Sequence, residues 1–131
     1  MATKQKSAKK KTARSTPAKL RKAALSLPGT NEGTSCNKAA FKAGAKNFFF
    51  MGEGKGPERG AFTTMLKLTD SLAEAKKLAK AKPDNYSVGG AGWVNAEFEK
   101  GDGPPAGLLE GWIEESYRAL APKKLVAELD G

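Results

Sequence analysis

The stretch KAAFKAGAKNFFFM, residues 38–51, decides how this chain is read. Ala39 to Ala43 and Lys46 to Met51 are two short runs with Gly44 between them. Aromatic residues favour a pleated, half-buried surface, and glycine accepts the positive φ of a tight turn, so the pair reads as a β-hairpin. Strand side chains alternate between the faces of a sheet. Phe48, Phe49 and Phe50 in succession therefore place bulky rings on both sides. The expectation is a core on one face and a helix-covered second face; exposed stacking rings are the alternative.

Working outward, residues 52–60 (GEGKGPERG) read as a flexible loop and Ala61 to Leu68 as a third strand. This makes a long hairpin whose tip carries Lys55 and Arg59, with Glu53 and Glu58 cancelling their charge. Residues 70–82 follow helical periodicity, with Leu72, Ala75, Leu78 and Ala79 as the buried stripe. Ser71 and Glu74 have capping-box spacing, and Lys76, Lys77 and Lys80 fall on the outer side. Tyr86 to Val88 and Trp93 to Phe98 form another strand pair, broken by Gly89, Gly90 and Gly92. A last long helix starts near Pro105, with Leu108, Leu109, Trp112, Ile113, Ser116, Tyr117 and Leu120 on one broad face. Glu114 and Arg118 make an i,i+4 pair, Glu115 reads as ordinary surface charge, and Lys123 to Leu129 add a short turn after Pro122.

Upstream, Thr16 can cap a helix that Pro17 begins, and Leu20, Ala23, Ala24 and Leu27 form its stripe before Pro28-Gly29. Residues 29–37 (GTNEGTSCN) read as a loop. The fold class is α+β: a single compact domain over 16–131, with a mostly antiparallel sheet and helices packed on it.

The 131 residues carry a net charge of +9, placed unevenly. Lys4, Lys6, Lys9, Lys10, Lys11, Arg14, Lys19, Arg21 and Lys22 fall in the first 22 residues, which hold no Asp or Glu. The other 14 cations are matched by 14 carboxylates, so the body is neutral and one end holds the whole excess. Residues 1–15 lack large apolar groups and cannot offset their conformational entropy, so a disordered tail is expected. One reading is a solubilising leader. The sharper reading is an arm for DNA or another polyanion, because each neutralised phosphate releases counterions. Lys76, Lys77, Lys80, Lys123 and Lys124 are the body's candidates for further phosphate contacts.

Several chemistries lack their residues. The chain has no histidine and one cysteine, Cys36, which excludes a Ser-His or Cys-His nucleophile, a zinc site and an internal disulfide. Gly54-Lys55-Gly56 fits neither the phosphate-loop spacing nor the dinucleotide fingerprint. No catalytic residue, metal or cofactor is assigned. No run approaches the ~18 apolar residues of a membrane span, and the lysine-rich start has no apolar stretch of a secretory signal. A cytoplasmic, non-membrane protein is expected.

Three stretches, in order and spacing, resemble the MmcQ/YjbR family. They are Ala24-Leu25-Ser26-Leu27-Pro28-Gly29-Thr30 with Glu32 and Ala40-Phe41-Lys42; Gly92-Trp93-Val94; and Glu115-Ser116-Tyr117-Arg118 with Leu120 to Leu125. The resemblance runs from about residue 18 to 126. It implies a compact sheet-and-helix fold, likened to frataxin-like and double-wing DNA-binding domains, and a DNA-binding role without catalytic residues. The chain departs from the pattern at Asn37 and Ala39, where Gly and Pro are usual, and in lacking a histidine before Trp93. The functional expectation is non-catalytic nucleic-acid binding with little sequence specificity. The alternative is a protein-interaction or small-ligand module with a cleft near Trp93 and Tyr117.

Overall fold

Thr16 starts the first helix as expected: its side-chain oxygen accepts the Lys19 amide at 3.3 Å, and Pro17 follows with no amide to satisfy. The structure is a computed structural model, and it describes residues 15–35, 38–53, 61–99 and 102–131. Cys36 and the loop bearing Lys55 and Arg59 lie outside the described residues, as do Lys4, Lys6, Lys9, Lys10, Lys11 and Arg14 of the basic arm.

Helix α1 spans Pro17–Leu25. Six strands follow: β1 Thr30–Ser35, β2 Lys38–Ala43, β3 Lys46–Glu53, β4 Phe62–Lys67, β5 Tyr86–Val88 and β6 Trp93–Phe98. Helix α2, Leu72–Ala81, stands between β4 and β5, and α3, Leu108–Leu120, and α4, Lys123–Asp130, close the chain. The strands form one sheet in the order β1-β2-β3-β4-β6-β5, every neighbouring pair antiparallel. The described residues are thus a single α+β domain, the fold class expected.

Among the described residues no helix covers the second strand face, against the expectation. Phe49, Leu66 and Val94 stand opposite one another across β3, β4 and β6 and are buried with Leu109, Ile113 and Tyr117 of α3 and Leu20 of α1. Phe50, Met65 and Trp93 occupy alternate positions and belong neither to this core nor to the apolar residues packed against it. The described helices therefore share one side.

Phe48 and Phe49 both point into the core, which simple alternation forbids. The β2–β3 register pairs Phe41 with Phe49 but Lys42 with Asn47, leaving Phe48 as the extra residue of a β-bulge. Both rings are fully buried; Phe48 meets Tyr117 edge-on at 5.3 Å, and Phe49 lies 5.2 Å from Phe41. The bulge sits where β3–β4 pairing ends, at Phe49 opposite Leu66. Ser116 of α3 fills the gap: its hydroxyl donates to the Phe48 carbonyl at 2.6 Å and accepts the Lys67 amide at 3.0 Å.

Residues 30–35 form strand β1, where a loop was expected. The polar sequence TNEGTS has no alternating apolar signal, because β1 is an edge strand paired only with β2. Its inward Glu32 is met by Arg21 of α1 through two bonds of 2.8 and 2.9 Å. The expected Ser71–Glu74 capping box is also absent, since Ser71 makes no side-chain cap of its own helix. Glu115 of α3 takes that role instead.

Gly44 makes the β2–β3 turn at φ +67°, and a Cβ there would stand 2.7 Å from Pro122 Cγ. Gly92 has φ +86°, and its Cβ would come within 2.6 Å of the Leu68 carbonyl oxygen, which is backbone and cannot step aside.

Replacing Ser116 by Ala leaves a buried carbonyl and a buried amide without partners, at about 1–3 kcal/mol each. S116A should therefore lose roughly 2–6 kcal/mol in urea unfolding; a loss under 1 kcal/mol would mean that water replaces the hydroxyl. Gly92→Ala should cost at least about 2 kcal/mol from left-handed strain plus overlap. Gly33→Ala, with no atom within 4 Å of the added methyl, should stay within about 0.5 kcal/mol of wild type by the same measurement.

Candidate nucleic-acid interface

Residues directly opposite in an antiparallel pair share a face, so the register maps the open side of the sheet. One row across the strands reads Asn31, Lys42 and Asn47, and continues with Lys67 and Trp93. The next reads Gly33, Ala40, Phe50, Met65, Asn95 and Ser87. The third reads Ser35 and Lys38, then Gly52, Thr63 and Glu97. The middle row is low, with glycine and alanine at one end and bulk at Phe50 and Met65.

Phe50 and Trp93 are half-buried, their ring centroids 6.2 Å apart and tilted by 56°. Beside them the small residues leave a depression of about 420 Å³ lined by Asn31, Gly33, Ser35, Ala40, Lys42 and Asn47, together with Glu32 and Thr34. The stem of Lys38 runs across Gly52, where an added Cβ would meet its Cγ at 2.8 Å. Among the described residues no carboxylate pairs with Lys38, Lys42 or Lys67. Glu97 is the acidic residue of these rows, at the far edge from Lys42.

Trp93 and Tyr117 do not form a shared cleft, which corrects the pairing expected of them. Trp93 lies on the open face. Tyr117 is buried on the helix side, with its hydroxyl donating to the Pro28 carbonyl at 2.6 Å. The sheet stands between them.

The cations expected to touch phosphate are dispersed. Lys19, Arg21 and Lys22 are exposed on α1, but the Arg21 guanidinium is occupied by Glu32. Lys76, Lys77 and Lys80 are exposed on α2. Lys123 and Lys124 are exposed at the start of α4, which Pro122 seats on the Gly44 turn. Arg118 is consumed by the Glu114 pair, at 3.0 Å, and by a two-point contact with Asp130 at 2.7 and 3.1 Å. That contact holds the Asp130 carboxyl below its ordinary pKa.

The arm itself has a fixed root. Ser15 is buried, donates its amide to the Pro104 carbonyl at 3.0 Å and its hydroxyl to Glu110 at 2.6 Å. Glu110 also accepts the Gly107 amide at 3.0 Å, so one carboxylate ties the root to the first turn of α3.

Sequence reasoning passed over Lys38, Lys42 and Lys67, and kept Phe50 as a stacking ring only in its alternative reading. The signal was there: Lys38, Ala40 and Lys42 recur every second residue, as do Met65 and Lys67. It was masked by the assumption that helices cover both faces.

Glu115 is structural. Its carboxylate accepts the amides of Thr69 and Ser71 at 2.7 and 2.9 Å and the Ser71 hydroxyl at 2.7 Å, capping α2 from outside. Desolvation is the largest single influence and would raise its pKa. The hydrogen bonds from Ser71 and Thr69 together outweigh it and hold the carboxyl below the ordinary glutamate value. Among the described residues no group of three or more His, Cys, Asp or Glu could hold a metal, and no helix is long and apolar enough to cross a membrane.

No family model matches the chain, and no curated protein matches it. Among solved structures the chain is similar to the crystal structure of the Deinococcus radiodurans protein DR2400, with the family-model domain DUF419. The TM-score is 0.64 at 21% identity, over 90% of this chain and 89% of that one. At that identity the likeness is one of fold.

Because the folded pKa of Glu115 is depressed, its stabilisation is complete above the unfolded value, about 4.3, and is lost as pH falls through the folded value. Glu115→Gln should cost roughly 1–2 kcal/mol at pH 7. Urea unfolding of both proteins should show the gap narrowing below about pH 4; a gap independent of pH would exclude the charge as its source.

Proposed function

We propose that this chain is a non-catalytic nucleic-acid-binding protein of the MmcQ/YjbR type, in a cytoplasmic setting, whose basic arm makes most of the phosphate contacts. The observation that carries the reading is the segregation of charge: nine of the 23 cations fall in the first 22 residues, with no carboxylate among them. Three of these, Lys19, Arg21 and Lys22, stand on α1, so the folded body from Ser15 carries +3 and the short arm of residues 1–14 carries +6; the body attracts a polyanion weakly, whereas the arm meets the condensed counterion layer directly. Phosphate contacts position a protein and carry no base information, so low sequence specificity follows.

The anchored root supports the same reading. Ser15 is held by Pro104 and Glu110, so an arm attached there keeps the domain near any strand it touches. The second contact is then intramolecular and acts at a high effective concentration. Lys22, Lys76, Lys77, Lys80, Lys123 and Lys124 are exposed cations that could supplement the arm. The fold shared with DR2400 agrees with the family resemblance of the sequence.

The test replaces Lys4, Lys6, Lys9, Lys10, Lys11 and Arg14 with Gln in the full chain and leaves Ser15 intact, because Ser15 belongs to the folded body. Anisotropy titrations on duplex DNA at several salt concentrations should give a shallower log–log slope for the variant. The decrease should reach about 5 if all the replaced cations contact phosphate. Equal slopes and affinities for the two proteins would remove the arm from the interface, and absence of binding by wild type at low salt would end the proposal.

A further inference from the structure

The open sheet face is a surface that the arm does not explain. It presents an aromatic pair, a low apolar strip and three lysines that no described carboxylate pairs, with Glu97 at the far edge. We propose that this face binds single-stranded nucleic acid, with unpaired bases stacking on Phe50 and Trp93 and the strand's phosphates held by Lys42, Lys67 and Lys38. The inference rests on the nucleic-acid reading above and names the kind of strand.

The geometry favours an unpaired strand over a duplex. A base inside a duplex has both faces occupied by its neighbours and offers no free π surface, whereas a single strand can splay its bases onto exposed rings. Phe50 and Trp93 lie 6.2 Å apart on one face and are tilted relative to each other, so they present two adjacent platforms. Lys67 stands opposite Trp93 across β4 and β6, and Lys42 stands beside Asn31 and Asn47 at the depression. The middle row thus runs as a shallow track from Gly33 and Ala40 to Phe50 and Met65, with Lys42 and Lys67 on one bank and Lys38 on the other.

Charge complementarity assigns the occupant. A protein partner would be expected to bury the apolar strip against its own apolar core residues, and lysine is depleted in such interfaces. A strand of alternating bases and phosphates matches alternating rings and ammonium groups. The depression beside the rings is bordered by the amides of Asn31 and Asn47, able to bond a base edge, and by Glu32, whose carboxylate Arg21 holds. Directly across from Phe50 are Ala40 and Met65, and across from Trp93 is Lys67. Asn31 and Asn47 at the depression and Asn95 and Ser87 in the middle row carry oxygen acceptors that a ribose 2′-hydroxyl can reach, so the face accommodates either sugar.

The experiment is a titration of the full-length, nitrogen-15-labelled protein with oligo(dT), a duplex of equal length and oligo(rU), followed by amide spectra and by anisotropy. With oligo(dT) the indole N–H of Trp93 and the side-chain amides of Asn31 and Asn47 should shift, while the indole of Trp112, buried in the core, stays in place. The duplex should leave Trp93 unmoved. Phe50→Leu and Trp93→Leu should each weaken oligo(dT) binding about 5- to 100-fold, the range expected for one lost stacking contact. Their salt slopes should match wild type, and Trp93→Phe should retain most of the affinity. Binding of oligo(dT) without any shift at Trp93 overturns this proposal and leaves the arm as the contact. A duplex that shifts Trp93 as strongly as oligo(dT) or oligo(rU) overturns the choice of an unpaired strand. No binding of any strand at low salt overturns both this inference and the nucleic-acid reading beneath it.

Discussion

The hydroxyl of Ser116 is the small contact on which the sheet's two faces depend. A bulge at Phe48 removes one residue's worth of pairing on each side, and its cost is a carbonyl and an amide with no ladder partner. Ser116 reaches down from α3 and satisfies both. What the bulge gains is a second phenylalanine in the core: burying such a ring stabilises by about 1.5–3 kcal/mol, more than enough to hold the irregularity once the orphaned groups are bonded. It also changes the phase of the strand. Beyond the bulge Asn47 faces outward beside Lys42, where an uninterrupted strand would turn it inward.

The same economy appears in the helices, which are tied to their surroundings by carboxylates at their termini. Glu110 joins the Ser15 root to α3, and Glu115 caps α2 from a neighbouring helix. These bonds complement the positive ends of helices, where amides lack internal partners. Arg21 with Glu32 and Arg118 with Glu114 and Asp130 consume further charge, and exposed pairs of this kind add little to stability because water screens them. Their larger effect is on the outer field. Among the described residues they leave Lys38, Lys42 and Lys67 of the sheet without a carboxylate partner, as they do Lys76, Lys77 and Lys80 of α2 and Lys123 and Lys124 of α4.

Most of the elements were legible because they are driven by local periodicity. The stripe of α3, the Thr16-Pro17 start of α1, the Gly44 turn and strands β2 to β6 all carry apolar residues at the spacing that their geometry buries. Strand β1 was not legible, since its backbone pairing with β2 and the Arg21–Glu32 contact make it a strand, and neither leaves an apolar pattern in TNEGTS. The cap of α2 was misassigned because Glu115 lies 44 residues from Ser71 in the chain, beyond any local motif. For the candidate site, Trp93 was picked out from its sequence neighbourhood, but its partner was not Tyr117. Phe50 is its neighbour on the open side, because register and alternation place them there.

Sequence alone determined the distribution of charge, the absence of histidine chemistry and the α+β content, since these depend on composition and on spacing within a single element. Only the tertiary structure decided which side of the sheet each ring occupies, which cations remain unpaired and where the arm is anchored. The physical reason is that a one-residue bulge and contacts between distant segments are invisible to local periodicity, yet each one reverses the direction in which neighbouring side chains point.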